Sequence, residues 1–139
     1  TKTRYEIQNL IADSMDDYDK LVAIYGHILS NVEYKDSNSN YCISLYGAVI
    51  EYQTVCVGYA MYFKRLCDLI DIDSTLILSD DHAWNLVKLY GQVYHVDVTW
   101  DDTDENGKWD YFLLSTEELM TIDSSDSHDF DETLYHLFE

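Results

Sequence analysis

Apolar side chains recur every three or four positions in two segments of the chain, the spacing that lines one face of an α-helix. The two segments are residues 16–31 and residues 56 to about 70. Their apolar positions are Tyr18, Leu21, Val22, Tyr25, Ile28 and Leu29 in the first, and Tyr59, Phe63, Leu66, Cys67 and Ile70 in the second. The tripeptide Gln53-Thr54-Val55 has extended character, so the second helix is predicted to begin at Cys56. A shorter helix is predicted over residues 44–52.

The pattern changes to that of β-strands after Asp73. Strands are predicted over residues 74–79, 82–89, 92–100 and 111–114, with the second and third joined as a hairpin at Tyr90-Gly91. Ser115-Thr-Glu-Glu118 then has the spacing of a capping box that opens a short helix. Together these elements predict one α+β domain spanning residues 1–139.

The hairpin predicts which side chains meet across its two strands. A two-residue turn at Tyr90-Gly91 makes Trp84 face Asp97, and a four-residue loop keeps this register. His82 and Asp97 then lie on the same face as diagonal neighbours, about 7–8 Å apart at Cα and within reach of a histidine–carboxylate hydrogen bond. A loop with an odd number of residues would place them on opposite faces.

Cys56 is the candidate nucleophile. The thiolate is the reactive form of cysteine, and a helix N-terminus and a nearby imidazolium both stabilise it. A carboxylate at Asp97 would hold the His82 ring in one tautomer and favour its charged form. A nucleophile, a base and an orienting acid are therefore available, although the hydrophobic pattern does not show that the helix packs against the hairpin.

The chain resembles the transglutaminase-like superfamily, of the bacterial type, in three ordered blocks: Val55-Cys56-Val57-Gly58-Tyr59-Ala60, His82-Ala83-Trp84-Asn85 and Tyr94-His95-Val96-Asp97-Val98-Thr99-Trp100. The resemblance implies a papain-like core, in which a helix bearing the nucleophile packs on an antiparallel sheet bearing His and Asp. Carried over by motif, Cys56 is the nucleophile, His82 the base and Asp97 the orienting acid. The implied chemistry is a thioester at Cys56, formed from a peptide or carboxamide and resolved by water or by an amine. A hydrolase (a protease or amidase) is favoured over an acyltransferase, and no cofactor is expected.

Several residues near the blocks are expected to support the site or contact substrate: Gln53, Tyr59, Trp84, Asn85 and Trp100. The Cys56 backbone N–H is a candidate oxyanion donor, and a second donor is left open among Tyr34, Tyr52 and Gln53. A glycine often lies just ahead of the nucleophile block in this family, and this chain lacks it. Cys42 and Cys67 are expected to be core residues.

The charge of the chain restricts its partners. Eight Lys and Arg against 27 Asp and Glu give a net charge of −19, which repels phosphate backbones, so nucleic acid is not expected as a partner. No apolar run reaches the ~20 residues of a membrane helix. The expected partner is a peptide or protein substrate, with cell-wall peptide as one candidate. The acidic composition and the bacterial resemblance favour an extracellular or cell-surface location over the cytoplasm. The start at Thr1, without methionine or a signal-like segment, is interpreted as that of a fragment or mature product.

One acidic loop is a candidate calcium-binding site. Asp102, Asp104, Asn106 and Asp110 match part of an EF-hand loop, but the twelfth position is Leu113 instead of the bidentate Glu. A polar turn explains the loop equally well, so no metal is predicted and calcium is kept as an alternative. His95, His128 and His136 have no recognisable metal spacing. The alternative function is a catalytically silent binding module of the same fold on the cell surface, with or without calcium.

Overall fold

The computed structural model describes residues 2–35, 45–103, 108–123 and 125–139, and it arranges helices on an antiparallel sheet. The α-helices of this part of the chain are α1 (Lys2–Leu10), α2 (Asp17–Asn31), α3 (Cys56–Leu69), α4 (Val98–Asp102), α5 (Thr116–Ile122) and α6 (Glu132–Phe138). Its strands are β1 (Glu33–Tyr34), β2 (Gln53–Thr54), β3 (Ser74–Leu78), β4 (Ala83–Leu89) and β5 (Gln92–Val96). The predicted α+β class is confirmed.

Helices α2 and α3 supply half of the buried residues of the larger core, as their apolar spacing predicts. Leu21, Ile24 and Tyr25 of α2 are fully buried, together with Phe63 and Leu66 of α3. Helix α2 begins after Asp16, whose side chain accepts a hydrogen bond from the Asp19 backbone N–H at 2.8 Å. Helix α3 begins at Cys56 directly after Val55, which has extended dihedrals. The predicted start of this helix is therefore confirmed.

The sheet is built from β3, β4 and β5, with β4 in the centre and both pairs antiparallel. The β4–β5 hairpin turns at Tyr90 and Gly91, which both have positive φ (51° and 79°), as a two-residue hairpin turn requires. Leu89 pairs with Gln92 and Asn85 pairs with Val96. The predicted register is confirmed, because the loop has an even number of residues.

The predicted strand over residues 92–100 is too long. Strand β5 ends at Val96, and Val98–Asp102 forms the short helix α4. The reason is Asp97, whose side chain accepts a hydrogen bond from the Trp100 backbone N–H at 3.2 Å and so caps a helix instead of continuing the ladder. Three residues of the predicted 92–100 strand, Val98, Thr99 and Trp100, consequently lie in a helix.

Two other predictions need correction. Residues 111–114 do not form a regular strand: Leu114 pairs with His95 as a single bridge, and Leu113 has a φ of 57°. The helix predicted over residues 44–52 starts outside the described residues, and its described part contains the π-helix Gly47–Glu51, which ends at Tyr52 in a left-handed conformation. The capping box at Ser115 and Glu118 is confirmed.

Strand β4 is buried on both of its faces. Val87 and Leu89 belong to the core that α2 and α3 share, whereas Trp84 and Leu86 form a second core with Ile77. This second core is covered by Val93 of β5 and by three side chains of the C-terminal segment, Phe130, Tyr135 and Phe138. The C-terminal segment thus closes the face of the sheet opposite α3. No described helix is long and apolar enough to cross a membrane.

Candidate active site

Cys56 is the first residue of α3, where the chain passes from β2 into the helix. Residue 54 is held in place because the Lys35 backbone N–H donates to the Thr54 carbonyl at 2.9 Å in the short parallel pair of β1 and β2. The Cys56 side chain is partly buried, and the Val57 and Ala83 backbone N–H groups help to lower the pKa of its thiol. Its position at a helix N-terminus favours a negative charge on the sulfur.

His82 and Asp97 meet where the two strands of the hairpin end. His82 directly precedes β4 and Asp97 directly follows β5. The distance between His82 Nε2 and Asp97 Oδ2 is 2.6 Å, so the two side chains are hydrogen-bonded. The same imidazole interacts with the Cys56 thiol, and this interaction raises the pKa of His82 and lowers that of Cys56. The structure therefore brings the sulfur, the imidazole and the carboxylate together, with His82 next to both of the other groups.

The three side chains shift one another's protonation. Burial by itself would raise the pKa of the Cys56 thiol, but the hydrogen bond and the charge of His82 outweigh burial, and the pKa is lowered. Burial would lower the pKa of His82, but hydrogen bonds to Asp97 and Cys56 raise it to about 9. Burial would raise the pKa of Asp97, but its histidine partners lower it. All three shifts favour thiolate, imidazolium and carboxylate at neutral pH.

Trp84 and Trp100 flank His82. The centroids of their rings lie 5.6 and 5.5 Å from that of the imidazole. Trp84 is fixed by its indole N–H, which donates to His95 Nδ1 at 3.0 Å. An aromatic face close to an imidazolium stabilises its charge. The tryptophans therefore support His82 through packing and electrostatics.

Asn85 connects the sheet to the helix that carries Cys56. Its side chain is fully buried, and its Nδ2 donates to the Ala60 carbonyl of α3 at 3.0 Å. It also reaches the Thr75 carbonyl of β3 at 3.4 Å. Asn85 therefore holds two parts of the fold together below the site.

The structure also shows what the other residues predicted near the site contact: Tyr59, Gln53, Tyr52 and Tyr34. Tyr59 is buried and its hydroxyl donates to the Asp102 carboxylate, so it braces α3 against α4. Gln53 is partly buried in β2, three residues before Cys56. The Tyr52 hydroxyl donates to Glu6 Oε2 at 3.1 Å, which directs it to α1 and away from Cys56. The Tyr34 ring stacks on that of Tyr59, with 6.4 Å between centroids.

His128 contacts the candidate site, and the sequence pattern missed it. It is buried, and its Nε2 lies 2.6 Å from Asp97 Oδ2, the same oxygen that contacts His82. Its Nδ1 lies 2.6 Å from Asp123 Oδ2. His128 follows in sequence a polar stretch without helical or strand periodicity, and it is 31 residues from Asp97. No local signal marks it, because only the folding of the C-terminal segment over the sheet brings it to the site.

His82, Asp97 and His128 are close enough for their ligand atoms to be considered as a metal site. The two histidine nitrogens, however, each lie 2.6 Å from the same carboxylate oxygen. Ligands of a tetrahedral zinc ion at about 2.0–2.1 Å from the metal stand about 3.3 Å apart, which is well beyond these contacts. The distances are those of strong hydrogen bonds to a charged acceptor, and a zinc ion does not fit between the three atoms.

The candidate calcium residues fall partly outside the described residues. Asp104 and Asn106 are not described, and neither is Cys42. Asp102 lies in α4 and accepts the Tyr59 hydroxyl, while Asp110 is exposed. Cys67 is a free, fully buried thiol, as expected of a core residue.

The sequence matches no family model and no curated protein, but solved structures resemble the fold. A presumed cysteine protease from Cytophaga hutchinsonii is similar over 70% of this chain and 36% of its own, with a TM-score of 0.57 and 24% identity. A transglutaminase (TGase) is similar over 91% of this chain and 36% of its own, with a TM-score of 0.60 and 16% identity. Menin, whose structure reveals the binding site for the Mixed Lineage Leukemia protein, is similar over 81% of this chain and 28% of its own, with a TM-score of 0.56 and 16% identity.

These likenesses define the class of fold. The chain has a transglutaminase-like fold, which a cysteine protease of the same class shares. It spans about a third of the length of the structures that it resembles. Because the identities are under 25%, the likeness shows the fold alone. The activity has to be argued from the chemistry of the site.

Proposed function

We propose that this chain is a cysteine-dependent hydrolase that cleaves peptide or carboxamide bonds through a thioester at Cys56. The Cys56 thiolate attacks the carbonyl carbon, and the C–N bond breaks as the His82 imidazolium gives its proton to the leaving amine. The neutral imidazole then takes a proton from water, and the resulting hydroxide attacks the thioester. The products are a carboxylic acid and the regenerated thiolate–imidazolium pair. Asp97 holds the His82 ring throughout.

One observation carries the proposal. A single imidazole, His82, hydrogen-bonds through Nε2 to the buried carboxylate of Asp97 at 2.6 Å and interacts with the Cys56 thiol, whose pKa it lowers. A carboxylate as buried as that of Asp97 requires such a partner. A half-buried thiol at a helix start has no structural need of an imidazolium. The arrangement activates the sulfur, which is what a nucleophile requires.

The oxyanion that forms during the attack needs hydrogen-bond donors. The Cys56 backbone N–H is available to it as the first N–H of α3, because helix N-terminal N–H groups have no partner within the helix. We assign the second donor to Gln53, the side-chain amide on the strand just before Cys56. Gln53→Ala is expected to lower kcat by about 10²–10³-fold while leaving the alkylation rate of Cys56 within about twofold. An unchanged kcat in Gln53→Ala would remove this assignment.

Alkylation kinetics test the activated thiol. Iodoacetamide should modify Cys56 at pH 7 much faster than Cys67, with the modified peptide identified by mass spectrometry. Cys67 is an internal control, because burial raises the pKa of its thiol to about 12. His82→Ala and Asp97→Asn should slow the reaction of Cys56, and His136→Gln, an exposed histidine outside the site, should not. If Cys56 in the folded protein reacts no faster than a free cysteine in a peptide, the proposal fails.

Hydrolysis and acyl transfer differ in what resolves the thioester. We favour water, and the assignment is tested with a cleaved peptide substrate in H₂¹⁸O containing a competing primary amine. Incorporation of ¹⁸O into the new carboxylate supports the hydrolase. Incorporation of the amine in its place would identify an acyltransferase that uses the same Cys56 chemistry.

A binding module is the second candidate, and one comparison favours it. Menin has a similar fold, and its structure reveals the binding site for the Mixed Lineage Leukemia protein. Cys56→Ala separates the two candidates, because it removes the sulfur and leaves the surface nearly unchanged. A variant that retains every effect of the wild-type protein would support the binding module, and a variant that loses them supports the enzyme.

The proposed partner is a peptide or protein, and the proposed location is the cell surface or the extracellular space. The net charge of −19 supports a substrate without phosphate backbones, and cell-wall peptide fits this description. Fractionation of cells that produce the native protein tests the location, and recovery in the cytoplasmic fraction alone would overturn it.

A further inference from the structure

We infer that His128 and Asp123 form a second histidine–carboxylate pair that positions Asp97 from the side opposite His82, with His128 in the imidazolium form. The inference rests on the proposed function. It adds His128 and Asp123 to the series of interacting side chains Cys56, His82 and Asp97. The extended series alternates in charge, with thiolate, imidazolium, carboxylate, imidazolium and carboxylate in order. His128 and Asp123 do not touch the reacting atoms and act only through Asp97.

The two contacts of the His128 ring decide how many hydrogens its nitrogens carry. Nε2 lies 2.6 Å from Asp97 Oδ2, and Nδ1 lies 2.6 Å from Asp123 Oδ2. A neutral imidazole has one N–H and one lone pair, so one of these contacts would set a lone pair against a carboxylate oxygen. Asp97 and Asp123 both have lowered pKa values in spite of burial, so neither supplies the missing hydrogen. Both contacts are satisfied only when His128 carries a hydrogen on each nitrogen.

The surroundings of His128 stabilise a positive charge. The rings of Trp100, Trp84 and Tyr111 lie 4.3, 4.7 and 5.8 Å from its centroid, within the range of cation–π attraction. The positive charge of His128 also affects the neighbouring His95. The pKa of His95 is lowered to about 4, mainly by burial and further by the charge of His128. The titratable groups facing His128 are Asp97, Asp123, His82, His95 and Tyr111.

Asp123 is itself fixed, so it can hold His128 in place. It is the residue that ends α5, and its Oδ1 accepts hydrogen bonds from the Ser125 backbone N–H at 2.9 Å and the Ser125 hydroxyl at 2.6 Å. Its other oxygen is thereby directed to His128. Asp97 in turn accepts from Trp100 N–H on Oδ1 and from two histidines on Oδ2. Without His128, the position of Oδ2 would depend on His82 alone.

Two readouts test the pair. Protein labelled with ¹⁵N-histidine is examined by NMR, with the His128 signals assigned from His128→Gln. At pH 7, both His128 nitrogens should carry hydrogens, as the contacts to Asp97 and Asp123 require, whereas His95 should carry one. In Asp123→Asn, which keeps the side-chain shape but removes the charge, His128 should carry one hydrogen fewer at the same pH. A merely structural histidine would show one hydrogen in both proteins, and that result would overturn the inference.

The second readout is the rate of Cys56 alkylation at pH 7. His128→Gln and Asp123→Asn should slow it about tenfold, the effect of losing a hydrogen bond to a charged group, while the matched control His136→Gln leaves it within twofold. If His128→Gln does not fold, Asp123→Asn carries the same test. A wild-type Cys56 without enhanced reactivity would refute the proposed function. A reactive wild type with unchanged rates in folded His128→Gln and Asp123→Asn would refute only the positioning pair.

Discussion

Gly58 of α3 lies directly against the side chain of Thr54 in β2. A Cβ atom at position 58 would overlap Thr54 Oγ1 and lie 2.7 Å from Thr54 Cβ. Thr54 is fully buried and has no room to withdraw. The close approach sets the angle at which α3 leaves β2, and therefore the position of Cys56 between these two residues.

Gly58→Ala is accordingly expected to destabilise the fold by about 1–3 kcal/mol, the cost of overpacking, and to slow alkylation of Cys56. Chemical denaturation and alkylation kinetics measure the two effects. Gly26→Ala in α2 is the matched control, since its Cβ would meet Trp109 at an ordinary 3.5 Å. It should be neutral or stabilising, because alanine is the better helix former. Equal stabilities for the two variants would contradict the assignment to Gly58.

The pH dependence of Cys56 alkylation should report the coupling to His82. The pKa of the thiol is lowered from 9.0, so the rate should reach half its maximum below pH 9.0. His82→Ala removes the largest stabilising partner of the thiolate and should move this midpoint upward. Peptide hydrolysis also needs the imidazolium, so kcat should fall as the pH rises through about 9, the pKa of His82. A midpoint that His82→Ala leaves unmoved would show that the two groups are not coupled.

Asn85→Asp places a carboxyl group next to two carbonyl acceptors in the core, those of Ala60 and Thr75. Burial and these acceptors favour the neutral acid, so its pKa in the folded protein is expected to be raised. A raised pKa contributes stability that is fully present below the unfolded value and is lost as pH rises through the folded value. The variant should therefore be close to wild type near pH 4 and markedly less stable at pH 7. Thermal unfolding at both pH values measures this, and a pH-independent difference from wild type would count against it.

Asp101 should weaken the fold as it ionises. Burial raises its pKa to about 6, even though Tyr25 and the Tyr111 backbone N–H donate hydrogen bonds to it. Its contribution to stability is full below the unfolded value of 3.8 and is lost as the pH rises through about 6. The difference in unfolding free energy between wild type and Asp101→Asn should therefore shift by about 1–2 kcal/mol in favour of the variant between pH 4 and pH 7, after allowance for solvent screening. A constant difference across this range would contradict the raised pKa.

Calcium is tested by thermal melting. Asp102 already accepts the Tyr59 hydroxyl, so we expect the same Tm in calcium chloride and in EDTA. A Tm that rises with calcium concentration would support the alternative of a calcium-stabilised module, because a ligand that binds the folded state stabilises it by mass action. Asp110→Asn, which alters an exposed member of the candidate loop, should then reduce the shift.

The pairing of His82 with Asp97 was predictable because it depends on local geometry. A turn of even length fixes the register of the hairpin, and the register decides which side chains share a face. The contact nevertheless forms differently from the prediction, because β5 ends at Val96 and Asp97 caps α4. The same side chain can continue a strand or cap a helix, and periodicity does not distinguish the two.

The sequence by itself determined the helix that begins at Cys56, the hairpin with its register and the α+β class, because each depends on spacing over a few residues. The tertiary structure decided which groups surround these elements. Only the packing of α3 on β4 brings Cys56 to His82, and only the folding of the C-terminal segment over the opposite face brings His128 and Asp123 to Asp97. These contacts join residues distant in sequence, and they form because burial of apolar surface on both faces of β4 stabilises the whole arrangement.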